Sequence, residues 1–115
     1  MKIYIAGPIT GVCNYKKRFV TAENDLHELG HVALNPAMLP FGLTQAEYMR
    51  ICLAMIDCAD GVLLLPGWED SAGARLEADY ASKIGCKVIH YPVDPNTLSR
   101  HLMLEMALSE VLVHG

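Results

Sequence analysis

The chain has 115 residues, of which 52% are hydrophobic and 19% charged, and its formal net charge is −4. That length suits a single domain over residues 1–115, with a core large enough to need no metal or disulfide staple, and the composition excludes a disordered chain. No basic stripe is present to hold a long nucleic acid, although backbone N–H groups at a helix start can hold an anionic small molecule without net positive charge.

Cys13, Cys52, Cys58 and Cys86 form no C-x-x-C pair and no zinc-site spacing. They read as free thiols of a reducing compartment. Met1-Lys2 leads into a short apolar run that stops at Gly7-Pro8, too brief for the core of a signal peptide. No apolar run approaches the roughly 20 residues of a membrane span. The expectation is a cytoplasmic protein with no membrane partner.

In chain order, Ile3-Tyr4-Ile5-Ala6 is apolar at successive positions and stops at Gly7-Pro8, as a strand buried on both faces does. A helix is expected from about Tyr15 to Leu29, with Phe19, Ala22, Leu26 and Leu29 on one face and Gly30 as its stop. Val32-Ala33-Leu34 reads as a second strand, closed by Asn35-Pro36. Thr44-Gln45-Ala46-Glu47 has the form of a capping box for a helix running to about Cys58. That helix is apolar nearly all round, which predicts deep burial or cover by another subunit. Gly61-Val62-Leu63-Leu64-Leu65 is the strongest buried-strand signal, followed by a helix from about Ser71 to Ile84. Lys87 to Tyr91 reads as a fourth strand. Asp94-Pro95 has the form of a helix start, with Asp94 as cap and Pro95 in the first turn. In the last helix Leu98, Leu102, Met106 and Val111 form one apolar face, and Leu104, Leu108 and Val113 a second. That surplus predicts a dimer surface.

Strands alternating with helices through short connections imply a parallel sheet with right-handed crossovers. The fold class is α/β: a small doubly wound, flavodoxin-like or Rossmann-like three-layer sandwich of four or five strands. In such a sheet ligands bind beyond the carboxyl ends of the strands, where the strand order reverses. With order 2-1-3-4 the loops there are Gly7-Pro8-Ile9-Thr10-Gly11 and Pro66 to Ala72. The second carries Trp68, placed to stack on a base or to cap the core. It feeds a helix start through Asp70-Ser71-Ala72-Gly73, a seat for phosphate or simply a helix cap. Tyr4 borders the same cleft, or is a core tyrosine. Glu77 lies six residues beyond Ser71. On spacing alone it reads as a solvated helix-surface carboxylate; at the mouth of a cleft it is a candidate nucleophile.

His27-Glu28-Leu29-Gly30-His31 matches the H-E-x-x-H zinc signature. Zinc requires both histidines on one face of a continuing helix. Gly30 is expected to end the helix before His31, so no metal is expected.

Tyr4-Ile5-Ala6-Gly7-Pro8, Ala59-Asp60-Gly61-Val62, Gly73-Ala74-Arg75-Leu76-Glu77 and Tyr80-Ala81 together resemble the nucleoside 2-deoxyribosyltransferase-like superfamily. That group includes deoxyribosyltransferases, nucleotide N-glycoside hydrolases and small bacterial and phage proteins. The resemblance spans about Ile3 to Tyr91. It implies that Glu77 is a nucleophile toward C1′ of the sugar and that Tyr4 orients it. It also implies that the stretches Gly7 to Gly11 and Ser71 to Gly73 hold a 5′-phosphate, and that residues of a neighbouring subunit complete the site. The sequence departs from the enzymes at Cys52, where they carry an Asp on the base side, and at Thr10, where some nucleotide hydrolases carry an Arg. Asp57, Asp60 and Asp70 are other carboxylates that could serve, and Asp60 is taken as a catalytic candidate. The expected function is cleavage of an N-glycosidic bond in a nucleoside or nucleotide, as hydrolase or 2-deoxyribosyltransferase, with no cofactor and as a homodimer or higher oligomer. The alternative is a non-catalytic nucleotide-binding or sensing module of the same fold.

Overall fold

The computed structural model describes residues 1–94 and 96–114, with side chains described through residue 110 except at 97. Four strands, β1 (Lys2–Ala6), β2 (Val32–Leu34), β3 (Gly61–Leu64) and β4 (Lys87–His90), alternate with four helices, α1 (Tyr15–Glu28), α2 (Gln45–Asp57), α3 (Ala72–Lys83) and α4 (Thr97–His114). All strand pairs are parallel and the order is β2-β1-β3-β4. No fifth strand occurs among the described residues. The order reverses between β1 and β3, as the doubly wound reading requires.

The pleat sends alternate residues of the two central strands into two cores. Ile3 and Ile5 of β1, with Leu63 of β3 and Leu65 just beyond it, pack under α1 and α4 against Phe19, Leu26, Leu104 and Leu108. Tyr4, Ala6, Val62 and Leu64 pack under α2 and α3 against Cys52, Ile56, Ala78 and Ala81. Full burial of one such large apolar side chain stabilises the fold by about 1.5–3 kcal/mol. The result is a three-layer α/β sandwich.

Helix ends follow their local chemistry. Gly30 turns the chain after α1 with φ +85°, a conformation that costs glycine nothing. It places His31 beyond the helix, where Nδ1 meets the amino terminus at 2.9 Å. His27 and His31 therefore share no helix face, and Glu28 instead reaches His101. The capping box of α2 is complete: Glu47 N–H donates to Thr44 Oγ1 at 3.1 Å and Thr44 N–H to Glu47 Oε1 at 2.8 Å.

Two expectations need correcting. The cap of α4 is Asn96, whose side-chain oxygen accepts from Leu98 and Ser99; Asp94 accepts from Asn96 N–H one step earlier, and Pro95 lies outside the described residues. Leu104 and Leu108 form no outer face but enter the core, while Leu98, Leu102 and Met106 face solvent; the side chains of Val111 and Val113 lie outside the described residues. Within this chain α2 buries only Cys52 and Ile56 fully, leaving Ile51 exposed and Leu53 and Met55 half-buried. Among the described residues no helix is long and apolar enough to cross a membrane.

Candidate active site

β1 positions Tyr4. Its side chain points toward α3 because the pleat alternates, and the whole residue is buried. α3 positions Glu77. The inner face of this helix carries Ala74, Glu77, Ala78 and Ala81, the three- and four-residue spacing of a packed stripe. Three alanines let the helix lie close on the sheet. Glu77 is the one long polar group on that stripe, and only 8% of it is exposed. The Tyr4 hydroxyl donates a hydrogen bond to Glu77 Oε2.

Burial sets the electrostatics. It pushes the Glu77 carboxyl up to about 7, against the hydrogen bonds from Tyr4 and Cys52 that favour the anion. The Tyr4 phenol is driven far above its ordinary range by burial and by the neighbouring carboxylate, so Tyr4 stays a neutral donor. Burial likewise raises the Cys52 thiol to about 11. Cys52 is on α2, one turn beyond Tyr48, whose phenol is also raised by burial.

These groups open on a cavity of about 370 Å³ at the carboxyl ends of β1 and β3. Gly7, Ile9 and Thr10 form one wall, and Ser71, Gly73 and Ala74 another. At Gly7 a Cβ would come within 2.9 Å of Leu65 Cβ, so only glycine fits this crossing of the two strand ends. The loop after it is a turn, closed by Val12 N–H to Ile9 C=O at 3.2 Å, with Gly11 at φ +78°. At the start of α3, Ser71 Oγ accepts from Ala74 N–H at 3.2 Å. Its hydroxyl proton stays available, and no acidic residue occupies the first turn. Gly73 of this first turn lines the cavity, and the first-turn N–H groups that a helix cannot satisfy lie at the positive end of its dipole.

The structure thus gathers Tyr4, Gly7, Ile9, Thr10, Ser71, Gly73 and Glu77 at one cleft. Pro8, Gly11, Trp68 and Asp70 do not line it. Trp68 packs on the core beneath α2 and α3 and lies 6.1 Å from the His90 ring, so it caps the core there. Asp70 is exposed in a short 3-10 turn. Asp60 is displaced altogether: it sits at the amino end of β3, where its carboxylate accepts from Lys2 N–H at 2.8 Å, the end of the sheet opposite the cleft. Asp57 holds the Tyr80 hydroxyl at 2.5 Å on the surface.

Sequence reasoning missed the remaining walls. Tyr15, Phe41, Gln45, Tyr48 and Met49 line the cavity, and Phe41 is 83% exposed at its mouth. The usable signal was the Pro- and Gly-rich stretch from Asn35 to Gly42, which joins the second strand to the next helix and so ends at the same edge of the sheet. Among the described residues, no Lys or Arg lines this cavity, and Glu77 is its one carboxylate.

An open parallel sheet reversing between β1 and β3, with a buried Tyr–Glu pair at the reversal, defines a doubly wound α/β protein with a cleft at its switch point. Its fold matches that of the 2-deoxyribosyltransferase from the psychrotolerant bacterium Bacillus psychrosaccharolyticus, with a TM-score of 0.63 and 24% identity over 78% of this chain and 71% of that one. That enzyme is described as a biocatalyst for the synthesis of nucleosides. The chain belongs to the family described as domain of unknown function DUF4406, whose model matches residues 1–90. None of the curated proteins matches the sequence.

Proposed function

We propose that this protein cleaves the N-glycosidic bond of a nucleoside, with Glu77 as nucleophile and Tyr4 as the group that orients it. The observation that carries the reading is the buried carboxylate of Glu77, held by Tyr4 on one oxygen and open to a small-molecule cavity. Breaking the bond to the base builds positive charge on the sugar. A carboxylate beneath C1′ stabilises that charge and then traps it. Glu77 forms a bond to C1′ as the C1′–N bond breaks, the bonding pair leaves with the base, and the base takes a proton from water. Attack by water on the glycosyl ester completes hydrolysis, and attack by a second base completes transfer. Tyr4 holds Oε2, which leaves Oε1 for C1′.

No Lys or Arg is among the residues lining the cavity, so a phosphate there would rest on the start of α3 and on Lys16, which stands over Phe41 at the mouth, 4.3 Å from the ring centroid. The free N–H groups at the start of α3 are suited to a sugar hydroxyl. The nucleophile must be ionised, and its carboxyl sits at about 7. Turnover should therefore rise with pH through neutrality.

The test is chromatography of the protein incubated with a panel of nucleosides and their monophosphates, with and without a free base. Base release that rises with pH, and falls by about 10³-fold or more in Glu77→Ala, is expected. Exchange with the added base would mark a transferase. A second reading, a nucleoside-binding module without turnover, draws on Cys52, a thiol held near 11 where a leaving base would need an acid. Saturable binding with no release after long incubation would favour it.

A further inference from the structure

A second cavity, also of about 370 Å³, opens at the same edge of the sheet but on the side of α1 and α4. It is lined by Lys17 and Arg18 of α1, by Tyr91 and Val93 after β4, and by Arg100 of α4. The two cavities are equal in volume and opposite in charge. Three of the nine Lys and Arg residues of an acidic chain line the second; none lines the first, where Lys16 stands only over Phe41 at the mouth. Arg100 is spent on Asp25, at 2.8 Å and 3.3 Å. The Lys17 ammonium has no hydrogen-bond or ion-pair partner among the described residues, its carbonyl alone accepting from Thr21 Oγ1. Arg18 uses Nη2 on the Pro66 carbonyl at 2.5 Å, leaving most of its five N–H groups free.

No acid in the first turn of α1 answers these charges, although cations there oppose the helix dipole. Asp94 is the one carboxylate of the wall, and it accepts from Asn96 N–H. The Tyr91 ring and Val93 supply an apolar side. This volume is at the lower end of small-molecule sites.

We propose that this cavity binds a phosphorylated small molecule, the phosphate between Lys17 and Arg18 and the organic part against Tyr91 and Val93. The site is separate from the Glu77 cleft and does not depend on the activity proposed there. It is joined to that cleft by one link: Arg18 holds the carbonyl of Pro66, from which the chain turns toward Ser71.

The test is an amide chemical-shift titration of the full chain with ribose 5-phosphate, with ribose as the neutral control. Saturable shifts are expected in residues 14–21 and 91–94, with a smaller response at Gly67, and none with ribose. Raising salt from about 20 mM to about 200 mM should weaken binding severalfold, as exposed charges are screened. Lys17→Glu should weaken it by about tenfold or more without lowering the melting temperature, since an acid in the first turn of α1 favours the helix. Shifts confined to residues 71–74 would assign the phosphate to the Glu77 cleft and overturn the proposal. So would non-saturable binding, or an affinity unchanged in Lys17→Glu.

Discussion

Glu77 and Asp25 are both buried carboxylates, yet their environments push them in opposite directions. Glu77 receives donors only from neutral groups, Tyr4 and Cys52, so burial wins and its carboxyl rises to about 7 from 4.5. Asp25 is also penalised by burial, but hydrogen bonds from Arg100, Tyr91 and His101 outweigh it and hold the carboxyl below its ordinary value. The linkage signs follow. Between about pH 4.5 and 7 the folded chain keeps the Glu77 proton that the unfolded chain releases, so stability falls as pH rises through that window, by about 3 kcal/mol at most. Glu77→Gln should remove that slope and be more stable than the natural chain at pH 8, as measured by urea unfolding at a series of pH values. An unchanged slope would mean that Glu77 is ionised and solvated. That burial was not legible locally: a Glu beside Leu76 and Ala78 reads as a surface residue until three alanines press its helix onto the sheet.

Asp25 acts at the scale of elements. It lies on the buried face of α1 and draws in Tyr91 beyond β4 and Arg100 and His101 of α4. His101 Nε2 stands 2.6 Å from Asp25 and 3.1 Å from Glu28. This clasp ties the last helix to the first, in addition to the core contacts of Leu104 and Leu108. Asp25→Asn leaves the Arg100 guanidinium unpaired in a mostly buried setting, which should cost about 3 kcal/mol or more. The measurement is the urea midpoint at pH 7. Because the Asp25 carboxyl is depressed when folded, its contribution is present above pH 3.8 and is lost as pH falls below it. The natural chain should therefore lose its advantage over the variant in acid. The partners of Asp25 lie 66 to 76 residues away in sequence, so no local pattern announces them. The H-E-x-x-H run beside it is a case in point, since Glu28 turns to His101 rather than to its neighbouring histidines.

At the scale of the whole molecule, β1 and β3 are each paired on both sides and covered on both faces, whereas β2 is a three-residue edge. Amides of Tyr4, Ile5, Leu63 and Leu64 should exchange with solvent only on global unfolding, and those of β2 faster, through local opening. Exchange monitored by NMR would show this, and equal protection in β2 would contradict it. Two cavities at one edge of this sheet, one bordered by a carboxylate and the other by cations, follow from helices placed on both faces.

The sequence by itself determined the elements, their order and the cleft loops, because hydrophobic period, glycine stops and the Thr44–Glu47 capping box are local signals. Strand order and spacing placed Tyr4 and Glu77 near the cleft, but their pairing and roles were legible only through a resemblance in short motifs. What the tertiary structure alone decided is which faces are buried and which distant groups meet. It packed Trp68 half-buried against the core, brought Phe41, Gln45 and Tyr48 to the cavity wall and gathered Lys17, Arg18 and Arg100 around a second one. Those outcomes depend on strand order and helix packing, and on contacts between residues far apart in the chain, which no window of sequence contains.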